Sequence, residues 1–293
     1  MIRISGDWCC KMTYNEAYRK GIQILKEAGI EAPASDAGVL LCHAAGCERI
    51  FLYAHGDSEL YDDILQTYLQ MLSKRVQGCP LQYITGKQEF MSLIFEVGPG
   101  ILIPRQETEL LVETVIDACK DRKAEILDMC TGSGCIAVSL ARYLPGCSVT
   151  AVDKMEQAIA AVRRNAEING VSDRVQVVRS DLFSAVPQKK YDFIVSNPPY
   201  IRSGDIAGLQ REVRDFEPVE ALDGGNDGLF FYREIIRTAP AYTKSNGMLA
   251  FETGYDQAWD VEALMASAGT YGDIRILKDL AGMDRVVTAR LIT

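Results

Sequence analysis

Glu125-Ile126-Leu127-Asp128-Met129-Cys130-Thr131-Gly132-Ser133-Gly134 is an apolar run that passes into a glycine turn, and a helical pattern opens near Cys135 directly after it. Strand, glycine turn and helix in that order let a ligand approach backbone where side chains would block it. The next apolar segment, Ser148 to Val152, ends on Asp153. A carboxylate about 20 residues past such a turn is placed to accept hydrogen bonds from ribose hydroxyls. Together the two segments describe an adenosine pocket. Gly132-x-Gly134-x-x-Ala137 also satisfies a loose dinucleotide fingerprint, and a bland tight turn has the same look, so the turn alone does not name the ligand.

Outward from this stretch, helical and strand patterns alternate. A helix is expected near 107–119, a strand at 125–129, a helix at 134–144, a strand at 148–153, a helix at 155–168, and strands at 175–180 and 191–196. Beyond an irregular stretch come a helix at 229–239, a strand at 248–253, a helix at 256–268, and strands near 273–278 and 284–291. The alternation predicts an α/β fold with a parallel sheet covered by helices on both faces. No helix separates the last two strands, so one of them should be an antiparallel edge. Asp181 closes the third strand, where a carboxylate can bond an adenine amine or cap a helix.

Residues 1–78 read as helices. Thr13-x-x-Glu16 is a capping-box pattern, with Tyr18, Ile22, Leu25 and Ala28 at helical spacing before Gly29. A second helix is expected from Ser35 or Asp36 to Gly46, and a third from about Ser58 through Val76, stopped by Gly78 and Pro80. Between Phe90 and Ile103, β-prone segments around Gly98-Pro99-Gly100 suggest a hairpin. The expected divisions are therefore 1–78 helical, 79–106 a hairpin linker and 107–293 the α/β domain.

Forty acidic against 31 basic residues give a net charge of -9 and a pI near 4.9, a balance that disfavours a phosphate backbone as partner. The nine cysteines form no CxxC pair and the two histidines, His43 and His55, have no ligand spacing to them, so no metal site is expected. Scattered thiols in apolar stretches fit a reducing compartment, and the cytoplasm is the expected location. Met1 to Met12 lack a signal-peptide apolar core, and no run reaches the ~18 apolar residues of a membrane helix. His43, His55, Trp8 and Trp259 read as core or surface residues, and Cys9-Cys10 as non-catalytic.

Strand 191–196 runs into Asn197-Pro198-Pro199-Tyr200 at the expected carboxyl edge of the sheet. Two prolines remove two backbone donors and leave rigid carbonyl acceptors beside an Asn amide and an aromatic ring. Such a loop can hold a planar amino group: the Asn197 oxygen and the Pro198 carbonyl accept its hydrogens, Tyr200 covers its π face, and the lone pair points at an electrophilic methyl. An amide nitrogen is a poor nucleophile, so positioning must supply most of the catalysis. A plain Asn-Pro turn is the bland alternative.

Asn197-Pro198-Pro199-Tyr200 is similar to the signature of amino-methyltransferases, and its surroundings resemble the HemK/PrmC family of release-factor glutamine methyltransferases. Pro80-Leu81-Gln82-Tyr83-Ile84-Thr85-Gly86, Ile103-Pro104-Arg105-Gln106-Glu107-Thr108-Glu109, Phe216-Glu217-Pro218 and Leu222-Asp223-Gly224-Gly225-Asn226-Asp227-Gly228-Leu229 carry the likeness, over roughly residues 13 to 291. The resemblance implies a class I S-adenosylmethionine-dependent methyltransferase, Rossmann-like, with a seven-stranded mostly parallel sheet and a small all-helical N-terminal domain that engages the release factor. It also implies S-adenosyl-L-methionine as methyl donor and a class 1 release factor as protein substrate. The glutamine of the Gly-Gly-Gln motif would be methylated on its side-chain amide nitrogen. By position, Thr131, Gly132, Ser133, Gly134, Asp153, Leu182 and Asn197 would contact the donor, and Asn197, Pro198, Pro199 and Tyr200 the glutamine; Cys130 in the glycine turn and Asp181 at its strand end complete the expected donor site. Two positions depart from the pattern: the family usually has glycine at 130, and the residue at 182 is often aromatic.

Arg105, Glu107 and Glu109 also read as an ordinary solvated helix start. The same Asn-Pro-Pro-Tyr loop suits an exocyclic amine of a nucleic-acid base, but a flipped base needs a basic approach surface. A non-catalytic ligand-binding protein is the third reading, which donor binding without transfer would reveal.

Overall fold

The computed structural model describes residues 12–120 and 122–292 of the 293. Trp8, Cys9 and Cys10 lie outside the described residues. Two compact units emerge, and each is described by itself.

The first unit holds the described residues up to Gly86, together with Arg211–Phe216. Its elements are β1 (Met12–Thr13), α1 (Tyr14–Glu27), α2 (Pro33–Ala45), α3 (Arg49–His55), β2 (Glu59–Leu60), α4 (Asp62–Val76) and α5 (Leu81–Thr85). The capping box at Thr13 forms: the Glu16 N–H donates to Thr13 Oγ1 at 3.3 Å, and the Thr13 N–H donates to Glu16 Oε2 at 2.9 Å. The second helix starts earlier than its sequence suggests, because Pro33 occupies the first turn, where its missing N–H costs nothing. Asp36 consequently caps nothing. It is buried and accepts from Arg75 Nε at 2.7 Å, while Arg75 Nη2 donates to Glu212 Oε1 at 2.6 Å. The third expected helix starts later, at Asp62, since Glu59 and Leu60 pair with Thr13 and Met12. Leu25, Leu40, Leu41, Tyr68 and Leu72 form the core of this unit.

The second unit begins with β3 (Lys87–Phe90) and β4 (Leu93–Glu96), a hairpin. Its turn is Met91-Ser92, both left-handed at φ 51° and 55°, rather than the Gly98-Pro99-Gly100 stretch expected from sequence. A two-residue turn of this hand matches strand twist, and here it is built without the glycine or asparagine that usually announces it. Then come α6 (Glu109–Cys119), β5 (Glu125–Met129), α7 (Cys135–Tyr143), β6 (Ser148–Asp153), α8 (Glu156–Ile168), β7 (Val175–Arg179) and β8 (Tyr191–Ser196). The short helix Arg211–Phe216 of the first unit counts as α9, and α10 (Phe230–Thr238), β9 (Thr243–Glu252), α11 (Ala258–Ser267), β10 (Tyr271–Lys278) and β11 (Asp284–Leu291) complete the chain.

These strands make one seven-stranded sheet in the order β10-β11-β9-β8-β5-β6-β7. The five strands from β9 to β7 are mutually parallel; β11 is antiparallel to both of its neighbours, so β10 at the edge runs the same way as the five, and the antiparallel strand is the inner of the last two and not the edge expected from sequence. Central strands such as β5 and β8 are near-continuous apolar runs because helices cover both faces. On one face Leu111, Val115, Ile136, Leu140 and Val162 pack with Phe90 and Phe95 of the hairpin. On the other Tyr232, Ile235, Val261 and Met265 pack on Leu127, Ile194 and Phe251. Chain order reverses between β5 and β8, so the carboxyl ends of β5, β6 and β8 open onto the crevice where such sheets bind ligands.

Candidate active site

A cavity lies at that carboxyl edge, lined by Cys130, Gly132, Asp153, Asp181, Leu182, Asn197 and Pro199 among others. Seven of the residues singled out from sequence thus meet around one space. Ile101, Leu102, Met129, Val152 and Phe231 add apolar wall. Apolar walls with a few convergent carboxylates suit an adenosine-type ligand, whose flat base needs burial and whose hydroxyls need acceptors.

Thr131, Ser133 and Gly134 stand behind the wall and hold the turn in shape. The Thr131 hydroxyl donates to Asp128 Oδ2 at 2.5 Å, and the same oxygen accepts the Ala137 N–H at 3.2 Å. Asp128 is fully buried at the end of β5, with its other oxygen unpartnered, and burial pushes its pKa up to about 7. Gly134 takes φ +82° at the start of α7, and a Cβ there would press on Val162 at 3.1 Å. Asn165, wholly buried on α8, donates to the Ser133 carbonyl at 2.8 Å and to the Glu96 carbonyl at 3.1 Å, while its oxygen accepts the Glu96 N–H at 2.7 Å. Nothing in the sequence pattern marked Asp128 or Asn165 as turn supports.

The two departures from the family pattern fall on backbone of the same kind. Cys130 has φ 60° and Leu182 φ 46°, both left-handed. Glycine enters that region without a steric cost, which accounts for a usual glycine at 130. Burial pushes the Cys130 thiol well above its ordinary range, so it stays a neutral wall group. Asp181 caps no helix, since none occurs between β7 and β8. Its carbonyl accepts the Ser184 N–H at 3.1 Å and its side chain is exposed at the cavity.

Asp153 ends β6 and bridges two loops. Its Oδ2 accepts the Gly132 N–H at 3.0 Å and its Oδ1 the Met155 N–H at 2.9 Å. Burial raises its pKa, and these backbone donors pull it back.

Asn197-Pro198-Pro199-Tyr200 leaves β8 at the opposite rim. Pro198 and Pro199 are buried, and burial raises the Tyr200 phenol far above its ordinary value. The segment Leu222–Leu229 backs it. The Ile201 N–H donates to the Leu222 carbonyl at 2.9 Å and the Gly224 N–H to the Ile201 carbonyl at 2.8 Å. A Cβ on Gly224 would lie 2.8 Å from the Pro199 carbonyl oxygen, and one on Gly228 would lie 2.3 Å from that of Tyr200. The glycines of this motif are there for close approach. Phe216-Glu217-Pro218 meets Ile103-Pro104-Arg105 through buried Glu217, which accepts from Arg105 Nη2 at 2.5 Å and from the Ile103 N–H at 3.3 Å. Arg105 is thereby a structural clamp and not a free solvated residue.

A doubly covered seven-stranded sheet with a carboxylate at the end of β6 and an Asn-Pro-Pro-Tyr loop at the end of β8 defines a class I methyltransferase. Residues 16–86 match the model of the PrmC N-terminal domain, and residues 106–211 that of the methyltransferase small domain. The release factor glutamine methyltransferase of Geobacter sulfurreducens is 42% identical over 267 residues, covering 91% of this chain and 93% of that protein. The enzyme of the same name from Moorella thermoacetica is 41% identical over 281 residues, covering 95% and 98%. Among solved structures, a methyltransferase from Pyrococcus furiosus shares the fold, with a TM-score of 0.51 and 18% identity over 69% of this chain and 90% of that one. The chain belongs to the release factor glutamine methyltransferase family.

Proposed function

We propose that this protein transfers a methyl group from S-adenosyl-L-methionine to the side-chain amide nitrogen of the glutamine in the Gly-Gly-Gln motif of a class 1 peptide chain release factor, in the cytoplasm. The observation that carries the reading is the meeting of Asp153 with Asn197 and Pro199 around a single cavity. The bound donor supplies a methyl carbon made electrophilic by its sulfonium.

The residues present suit that donor. Asp153 keeps unused lone pairs on both oxygens for ribose hydroxyls, Asp181 is free to accept from the adenine amine, and Leu182, Val152 and Ile101 give the base an apolar bed. Cys130 and Gly132 offer close backbone approach at positive φ. Across the cavity, Asn197 Oδ1 and the Pro198 carbonyl accept the two amide hydrogens of the glutamine, and Tyr200 covers its face. Held there, the nitrogen would present its lone pair to the methyl that the bound donor would supply, with Asn197 Oδ1 and the Pro198 carbonyl holding its protons until one is released to solvent after transfer. Holding the nitrogen in line removes most of the barrier that an intermolecular encounter would meet. Residues 1–78 supply recognition of the release factor, 79–106 the connection and 107–293 the chemistry.

Incubation with labelled donor and, separately, release factors and nucleic acids, followed by peptide mass mapping, tests the reading. The expected product carries one methyl on the glutamine amide. A methyl on a base, or on any other protein residue, overturns the substrate assignment and leaves the methyltransferase fold standing.

A further inference from the structure

We propose that Thr108 and Glu252 are positioning residues for Asn197, a directional hydroxyl and carboxylate relay that turns the Asn197 NH2 inward and so presents Oδ1 to the substrate amide. The inference rests on the glutamine methyltransferase reading above.

An Asn side chain has two ends of nearly equal size, one donating and one accepting, and only the accepting end can hold an N–H of the substrate. Some feature must decide which end faces the cavity. Asn197 Nδ2 donates to Thr108 Oγ1 at 3.2 Å. Thr108 precedes α6 at its N-cap position, where a hydroxyl ordinarily binds a backbone N–H of the first turn, yet it makes no such bond. The Glu252 carboxylate lies within electrostatic reach of both Thr108 and Asn197, and each favours its ionised form. Glu252 is the last residue of β9, and the pairing of Ser196 with Phe251 brings it alongside Asn197.

Thr108 has one proton. Given to an ionised carboxylate, it leaves only lone pairs toward Asn197, and the Asn amide must answer with its NH2. Thr108 and Glu252 are each 1% exposed, so water cannot substitute for either. Glu252 Oε2 is buried without a partner, a costly arrangement in a core that an apolar side chain could fill more cheaply. No backbone bond or strand register needs this carboxylate; the orientation of Asn197 does.

The charged and titratable groups facing Glu252 are Arg285 of β11, Glu107 beside Thr108, Tyr200, Tyr232 of α10 and Cys135 of α7. Arg285 spends its direct bonds on Asp279 and the Thr253 carbonyl, each at 3.2 Å. Burial therefore dominates and pushes the Glu252 pKa up to about 7. Protonated, the carboxyl can donate to Thr108, which frees the Thr108 proton to bond Asn197 Oδ1 and draw the wrong end inward. Deprotonation restores the productive orientation, so turnover should rise with pH through about 7.

The test uses full-length wild type, Thr108→Val, Thr108→Ser, Glu252→Gln and the double variant Thr108→Val with Glu252→Gln. Turnover and KM on intact release factor, donor affinity by calorimetry and pH profiles are measured on each. Thr108→Val and Glu252→Gln should each lower kcat by ~10 to 100-fold, the scale of a misplaced reacting group, while donor affinity holds and Thr108→Ser stays near wild type. The double variant should be no slower than the worse single, and Glu252→Gln should lose the rise near pH 7. Wild-type turnover in Thr108→Val, multiplicative losses in the double variant, or an intact pH limb in Glu252→Gln overturns the relay. Thr108→Val is nearly isosteric and decides the matter if Glu252→Gln does not fold. A wild type that puts no methyl on glutamine sinks the functional reading and the relay with it; normal wild type with unaffected variants sinks the relay alone.

Discussion

Both oxygens of Asp153 are already engaged by backbone N–H groups of Gly132 and Met155, so this carboxylate fixes the glycine turn as well as facing the cavity. Asp153→Ala should weaken S-adenosyl-L-methionine binding by ~1.5 to 3 kcal/mol, the range for hydrogen bonds to a charged group; calorimetry showing unchanged affinity would remove Asp153 from the donor site. Asp128 and Glu252 make a different prediction. Both carboxylates have pKa values raised by burial to about 7, against ordinary values of 3.8 and 4.5. Between those limits the folded protein holds protons that the unfolded chain has released, so each group's contribution to stability is complete below about pH 4 and is lost as pH rises through about 7. The melting temperature should therefore fall between about pH 4 and 7 and level off above that, and Glu252→Gln should flatten the fall. A melting temperature that climbs over that range in both proteins would show that neither carboxyl is protonated in the fold.

Among the elements, the loop 222–229 does the most with the least chemistry. Gly224 and Gly228 let it run against the backbone of Pro199 and Tyr200 at distances no Cβ permits. Gly224→Ala should push the Asn-Pro-Pro-Tyr loop away from the cavity and lower turnover by ~100-fold, since misplacement of about 1 Å carries that cost. Donor affinity should change little, because Asp153 and the glycine turn sit on β5 and β6. Equal losses in turnover and donor affinity would mean that the loop supports the whole pocket and not the substrate side. The sheet elements and the two loops that meet at its edge were legible because apolar runs, glycine turns and the Asn-Pro-Pro-Tyr segment are local signals. Other features were not. The Met91-Ser92 turn carries no turn residue, α3 is too short to show a period, and Thr108, Glu252 and Asn165 look like ordinary polar residues. They become site supports only when β8, β9 and α8 bring them beside residues 89, 55 and 32 or more positions away in sequence.

At the scale of the molecule, the chain leaves the catalytic unit after Gln210, contributes Arg211–Phe216 to the helical unit, and returns at Glu217. Within the helical unit, Glu212 accepts from Arg75, which is buried and also holds Asp36. Glu217 on the returning side is buried and clamped to Arg105 and Ile103. The segment between Tyr200 and Glu217 is thus fastened at both ends, and one of its fastenings is made of residues from the first 86. A protein starting at residue 80 should therefore fold as a sheet and bind donor, since none of Asp153, Gly132 or Asp181 depends on the helical unit. Its segment 203–216 should become open to proteolysis, and methylation of intact release factor should be almost lost, while transfer to a short Gly-Gly-Gln peptide should fall to a much smaller extent. Full-rate methylation of intact release factor by that shortened protein would show that residues 1–78 have no part in recognition. Equal loss on peptide and protein would instead assign the helical unit to holding the catalytic loop, and limited proteolysis around residue 211 would tell the two apart.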